Sequence, residues 1–137
     1  MLVAFGLGAL SVLSLPPIYW LPVVPLAWTG FIWLLDGAET KRAKAATGWA
    51  FGFGYLVFGL YWISAALFTD IGKYWWMVPL AVTALPAALA VFWAVAAALA
   101  GLTPARRLSR YVAVILAFSA LEWLRGTILS GFPWNLP

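Results

Sequence analysis

Long apolar runs separated by short polar stretches dominate the pattern of this chain. A helix that crosses a bilayer needs about 20 mostly apolar residues, because its backbone polar groups must be satisfied within the segment. The runs that come near this requirement predict five helical spans, near residues 1–15, 19–35, 47–68, 74–102 and 111–124. The pattern therefore predicts an all-α integral membrane protein, a bundle of about five transmembrane helices in one domain over residues 1–137.

Prolines mark the ends and the bends of these runs. The first run ends at Pro16 and Pro17, because a proline disfavours helix at the residue before it. Pro79 and Pro86 allow the long fourth run to bend or tilt. A cleaved signal peptide is the alternative for the first run, but that run lacks a basic start and a small-residue cleavage site. We therefore expect the first run to be retained as a helix.

The basic residues predict the orientation of the bundle. Six of the eight lie in two polar stretches, one with Lys41, Arg42 and Lys44 and the other with Arg106, Arg107 and Arg110. Two predicted spans separate these stretches, so both fall on the same side, which the positive-inside rule makes the cytoplasmic side. The N-terminus is then cytoplasmic, and residues 125–137 form a segment at the outer face.

Composition supports the membrane assignment and excludes several kinds of chemistry. The chain is 66% hydrophobic and 9% charged, whereas soluble domains carry about 25% charged residues. It contains no Cys and no His, so thiolate nucleophiles, disulfides and the usual zinc and general-base sites have no residues to use. We expect no metal site, no cofactor and no catalytic residue in this chain. The net charge of +4 lies mostly in the loops and does not indicate a nucleic-acid partner.

Glycines recur on the third predicted span, at Gly48, Gly52, Gly54 and Gly59. Gly48 and Gly52 are four residues apart and share a helix face, which lets a neighbouring backbone approach closely. The interpretation is helix packing, and a lipid or substrate groove is the alternative.

Glu122 and Arg125 are ionisable residues close to the end of the fifth span. A three-residue step on a helix makes them neighbours. Ionisable residues inside membranes usually pair and often mark functional paths. Near the outer end of a span an arginine can extend to the interface, which lowers the cost. The pair therefore predicts either a structural contact or a direct contact with lipid or protein.

An aromatic elbow follows this pair, at Gly131, Phe132, Pro133 and Trp134. Pro133 keeps Phe132 extended, and Trp134 prefers the headgroup layer. The generic interpretation is an aromatic anchor at a helix exit. The specific interpretation is the floor of a phospholipid entry site, in which Arg125 presents its donors to phosphate oxygens.

Three stretches of the chain resemble the N-terminal membrane region of bacterial apolipoprotein N-acyltransferases: "GALSVLSLPPIYWLPVVPLAW", "GWAFGFGYLVFGLYWISAALF" and "ALEWLRGTILSGFPWN". The E-x-x-R-G pattern followed by G-F-P-W is the most specific part, and the resemblance covers essentially the whole chain. It implies transfer of an acyl chain from a phospholipid to the N-terminal S-diacylglyceryl-cysteine of an apolipoprotein, in the bacterial inner membrane. Phospholipid and apolipoprotein are the expected partners, and the sequence makes no prediction of oligomeric state.

The matched motif assigns substrate or lipid contacts to the periplasmic mouth of the bundle, at Glu122, Arg125, Phe132, Pro133 and Trp134. The same resemblance places catalysis in a nitrilase-like α/β/β/α domain with a Cys, Glu and Lys triad, and these 137 residues do not contain it. Glu122 is not that catalytic Glu. We therefore expect the membrane part of an acyltransferase, inactive alone.

Two alternatives belong to other classes of protein. A small non-enzymatic membrane protein for helix packing or lipid binding needs only small-residue faces and aromatic belts. A transporter or channel would need polar residues in mid-membrane, where the third and fourth spans offer little beyond Ser64 and Thr83.

Overall fold

A computed structural model of the chain describes residues 1–103 and 107–128, without the side chains of residues 107 and 108. The described elements are helices α1 Leu2–Ser11, α2 Val23–Asp36, α3 Lys41–Gly59, α4 Ile63–Leu67, α5 Ile71–Tyr74, α6 Met77–Pro79, α7 Leu85–Ala100 and α8 Arg107–Ile128. Short 3₁₀ turns follow α1 and α4, and a π-helical segment joins α6 to α7. No strand occurs in these two ranges, so the predicted all-α class is confirmed.

Two described helices, Met77–Ala100 and Ser109–Ile128, are long and apolar enough to cross a membrane. A third candidate is α3 together with Ile63–Tyr74, which is bent by 50° at the break. The helices Leu2–Ser14 and Val23–Asp36 are apolar but shorter. Each of these two is about 20 Å long, against a hydrocarbon core of about 30 Å. By length and composition the described residues thus hold two or three spanning helices, whereas the hydropathy pattern predicted about five.

The described residues of the two basic stretches lie in helices: Lys41, Arg42 and Lys44 in α3, and Arg107 and Arg110 in α8. The Thr40 hydroxyl accepts a hydrogen bond from the Ala43 N–H at 3.1 Å and caps α3, so Lys41 begins that helix. The second stretch likewise continues into the first turns of α8, which begins at Arg107. A side-chain cap satisfies backbone N–H groups that a helix otherwise leaves without partners. This capping extends α3 towards the N-terminus by several residues beyond the predicted start at residue 47.

The long fourth run changes its helical geometry near its prolines. Leu80–Ala84 is π-helical, directly after Pro79, and Pro86 lies in the first turn of α7. Each proline removes a backbone donor from the helical ladder, and local widening is a common response. The helical geometry thus changes next to the two prolines at which the sequence predicted bending or tilting.

α3 lies at the centre of the bundle, packed against α1 on one side and α7 on another, while α8 packs on α7. Two glycines allow α1 and α3 to touch through their backbones. A Cβ atom at Gly8 would collide with the Phe51 carbonyl group, and one at Gly54 would collide with the Phe5 carbonyl group. The side of α3 that faces α7 contributes to an aromatic cluster made of Trp28, Phe31, Phe51, Trp93 and Phe118.

Basic side chains join the helix ends on the side predicted to be cytoplasmic. Arg110 donates from Nε to Asp36 Oδ1 at 2.8 Å and from Nη1 to the Ala100 carbonyl oxygen. Lys44 Nζ donates to the Gly101 carbonyl oxygen at 3.2 Å. These bonds satisfy carbonyl groups at the C-terminal end of α7, where no following helical turn supplies N–H donors. Arg110, predicted only as an orientation signal, is thus a buried link between α2, α7 and α8.

Candidate functional site

Glu122 and Arg125 lie one turn apart on α8. Arg125 Nη2 donates to Glu122 Oε2 at 2.5 Å. The contact predicted from their three-residue spacing is therefore present.

The pair is enclosed by the bundle. Arg125 is fully buried and Glu122 is 6% exposed, although the position near the end of the span predicted an arginine that reaches the interface. α8 continues past the predicted end of the span to Ile128, so Arg125 lies within the helix. Its side chain leans back over the preceding turn, as long helical side chains do. The described bundle therefore encloses the Arg125 side chain instead of exposing it at the surface.

Two aromatic residues from other helices complete the surroundings of the pair. Trp93, on α7, packs against Phe118, which lies one helical turn before Glu122 on α8. Tyr55, on α3, is buried and stacks its ring on that of Trp93. Sequence reasoning missed both residues, because an aromatic residue in an apolar run is the ordinary composition of a membrane helix. The site thus joins α3, α7 and α8.

Beside this cluster, a groove of about 670 Å³ runs between α2 and α8. Its wall is mostly apolar, with Val24 and Trp28 on one side and Phe118 and Trp123 on the other, and Glu122 also lines it. Trp123 is 70% exposed, so the groove opens on the outer surface of the bundle. Its size lies within the range typical of ligand sites, about 300–1,000 Å³. A surface groove with an ionisable residue in an apolar wall suits an amphiphilic ligand.

The four glycines of the third span belong to two helix contacts and one helix end. Gly48 and Gly52 face α7, where an added Cβ would lie 2.5 Å from the Trp93 carbonyl oxygen and 2.7 Å from the Trp93 Cβ, respectively. Gly54 faces α1 instead. Gly59 is buried at the end of α3, beside a small cavity of about 330 Å³. Helices therefore cover the first three glycines, and the groove lies elsewhere.

Other predicted site residues lie outside the described ranges. These are Phe132, Pro133 and Trp134, together with Gly131. Within residues 1–103 and 107–128, no group of three or more Asp and Glu side chains could hold a metal ion.

Comparison with known proteins identifies a family that matches this chain. Residues 7–137 match the family model described as the apolipoprotein N-acyltransferase N-terminal domain. The chain is 42% identical over 143 residues to the apolipoprotein N-acyltransferase of Rhizobium etli (strain CIAT 652), covering 98% of this chain and 27% of the relative.

Two further relatives carry the same name. Identity is 42% over 144 residues to the protein of Brucella suis biovar 1 (strain 1330) and 38% over 141 residues to that of Agrobacterium fabrum (strain C58 / ATCC 33970). These alignments cover 98% and 96% of this chain, and 27% of each relative. The chain therefore spans about a quarter of the length of the curated relatives it matches.

Proposed function

This chain belongs to the apolipoprotein N-acyltransferase family, and on that premise we propose that it is the membrane part of an acyltransferase. The whole enzyme would transfer an acyl chain from a membrane phospholipid to the N-terminal S-diacylglyceryl-cysteine of an apolipoprotein. Its place would be the bacterial inner membrane, with the N-terminus of this chain in the cytoplasm and the end of α8 on the periplasmic side.

The groove between α2 and α8 is the observation that carries the proposal. It is apolar, open on the surface that would face lipid, and lined at one point by Glu122, the ion-pair partner of the buried Arg125. In this proposal one acyl chain of the phospholipid lies in the groove. The Glu122 carboxylate in this wall is paired with Arg125, so the acyl chain would lie beside an ion pair and not beside an isolated charge.

The chemical step would use residues outside this chain. A thioester route needs a thiolate, and these 137 residues contain no Cys. The part proposed for this chain is to bind the lipid and hold it in place, while the remaining three quarters of the enzyme's length would carry the nucleophile. Binding that orients a substrate can itself supply a large part of a rate enhancement.

The test uses a full-length enzyme, built by joining this chain to the remainder of the Rhizobium etli relative. In that enzyme, Gly126→Leu places a side chain into the groove that Gly126 lines. Gly6→Leu is the matched control, because Gly6 is exposed on α1 and outside the groove. A Cβ at either glycine meets no heavy atom of the described residues within 4 Å, so both variants should fold.

We expect Gly126→Leu to raise the KM for phospholipid about tenfold, with kcat little changed. Displacing about two buried methylene groups of the acyl chain costs about 1.6 kcal/mol, which corresponds to slightly more than a factor of ten. Gly6→Leu should leave the KM within about twofold of the parent, because a surface substitution of this kind has a small effect. Equal KM values for the two leucine variants would contradict a lipid site in this groove. A joined enzyme that is inactive while the Rhizobium etli parent is active would favour the non-enzymatic alternative.

A further inference from the structure

Three buried polar atoms on three helices have no hydrogen bond to any residue that the structure describes: Tyr55 Oη, Trp93 Nε1 and Glu122 Oε1. Two of them are donors and the third is a carboxylate oxygen. Buried polar groups are nearly always paired, because leaving one without a partner is costly. Two donors and one acceptor in the same part of the core are therefore complementary in their hydrogen-bonding chemistry.

Their positions fit this interpretation. Trp93 packs edge-on against Phe118, which lies one helical turn before Glu122 on α8, with ring centroids 5.3 Å apart. The rings of Tyr55 and Trp93 stack, with centroids 5.3 Å apart and an interplanar angle of 26°. Both residues are at most 2% exposed. Bulk water is therefore not available to either donor, and the carboxylate is the acceptor that the described residues offer.

We propose that Trp93 and Tyr55 are positioning residues for Glu122. Their N–H and O–H groups donate to Oε1, directly or through one bridging water, while Arg125 donates to Oε2. The carboxylate is then held from α3 and α7 as well as from α8. Arg125, which bonds to that carboxylate, is oriented by the packing of two helices that it does not belong to.

Gly52 connects this cluster to the packing of α3 on α7. A Cβ at Gly52 would lie 2.7 Å from both Cβ and Cγ of Trp93. The missing side chain therefore leaves the space that the indole occupies. A glycine predicted as a packing residue thereby also determines where the Trp93 donor lies.

The proposal deepens the proposed function and rests on it, because an oriented Arg125 matters for catalysis only if lipid binds beside it. The experiment uses the same full-length joined enzyme. Trp93→Phe and Tyr55→Phe each remove one donor and keep a ring. Trp49→Phe is the matched control, since the Trp49 indole donates to the Ala87 carbonyl oxygen at 3.0 Å across the same α3–α7 contact.

We expect Trp93→Phe and Tyr55→Phe each to raise the KM for phospholipid about fivefold, the factor that corresponds to one hydrogen bond of ordinary strength. The kcat should stay unchanged, and Trp49→Phe should change the KM by less than about twofold, because its bond lies away from the pair. In a Glu122→Gln background, Trp93→Phe should add only about a twofold rise, since a neutral amide oxygen accepts a hydrogen bond about half as strong as a carboxylate does. Effects of Trp93→Phe and Glu122→Gln that multiply, or a Trp93→Phe effect equal to that of Trp49→Phe, would overturn the proposal.

Thermal unfolding of the same proteins separates this proposal from the proposed function. The parent, Trp93→Phe, Glu122→Gln and the double variant form a double-mutant cycle whose coupling does not depend on activity. Coupling in the unfolding temperatures with no change in any KM would support positioning of Glu122 and contradict the lipid function. Additive unfolding temperatures would overturn the positioning of Glu122, whatever the kinetic result.

Discussion

Replacing Gly48 by Ala tests whether the central contact of this bundle depends on a missing side chain. A Cβ at Gly48 would lie 2.5 Å from the Trp93 carbonyl oxygen and would also collide with the Ala97 methyl group. Ordinary contacts of a Cβ atom begin at 3.4 Å. The two backbones would therefore have to separate locally by about 0.9 Å, in an interior whose packing leaves little free space.

The expected magnitude follows from two opposing effects. Adding a group to a packed interior costs about 1–3 kcal/mol, whereas replacing glycine by alanine within a helix gains up to about 1 kcal/mol. The obstacle at Gly48 is a backbone carbonyl group, which cannot rotate away as a flexible side chain can. We therefore expect Gly48→Ala to lower the free energy of unfolding by about 1–2 kcal/mol.

Gly6→Ala is the control, because a Cβ there meets no heavy atom of residues 1–103 or 107–128 within 4 Å. Only the higher helix propensity of alanine remains, so we expect the free energy of unfolding to rise by up to about 1 kcal/mol. The measurement is the unfolding of the purified chain in detergent micelles, followed by its helical circular dichroism. A Gly48→Ala variant as stable as Gly6→Ala would refute the argument that α3 and α7 require this close approach.

Three further substitutions test the polar contacts. Arg125→Ala should lower the free energy of unfolding by about 3–5 kcal/mol, because it leaves the Glu122 carboxylate buried without its cation. Thermal unfolding in detergent measures this loss. A loss under about 1 kcal/mol would show that water reaches the carboxylate. Arg110→Ala should lower the free energy of unfolding by about 1–3 kcal/mol. Asp36→Asn should lower it by under about 1 kcal/mol, since the Asp36 side chain is 40% exposed. Equal losses would mean that the ion pair with Asp36, and not the bond to the Ala100 carbonyl oxygen, stabilises the bundle. Thr40→Ala should cost about 1 kcal/mol through loss of the helix cap, and an unchanged unfolding temperature would contradict a stabilising role for that bond.

Local features of the chain were predictable because they depend on residues close together in sequence. The spacing of Glu122 and Arg125 predicted their contact, since a helix brings residues three apart together. Gly48 and Gly52 predicted a close helix contact for a similar reason. The predicted helix ends that were wrong also depend on neighbouring residues. The Thr40 cap and the continuation of α8 moved helix ends by several residues, and such ends are the least certain part of a hydropathy pattern.

The sequence by itself determined the helical class, the apolar character of the helices and the family, because hydropathy and motif identity are properties of each segment taken alone. Only the tertiary structure decided that Arg125 is enclosed, that Tyr55 stacks on Trp93 and Trp93 on Phe118 of α8, and that α2 and α8 leave a groove between them. These facts depend on how each helix is rotated about its own axis. A helix that is apolar on all sides has no stripe to define that rotation, so the rotation is decided by close packing at small residues and by the pairing of the few buried polar groups.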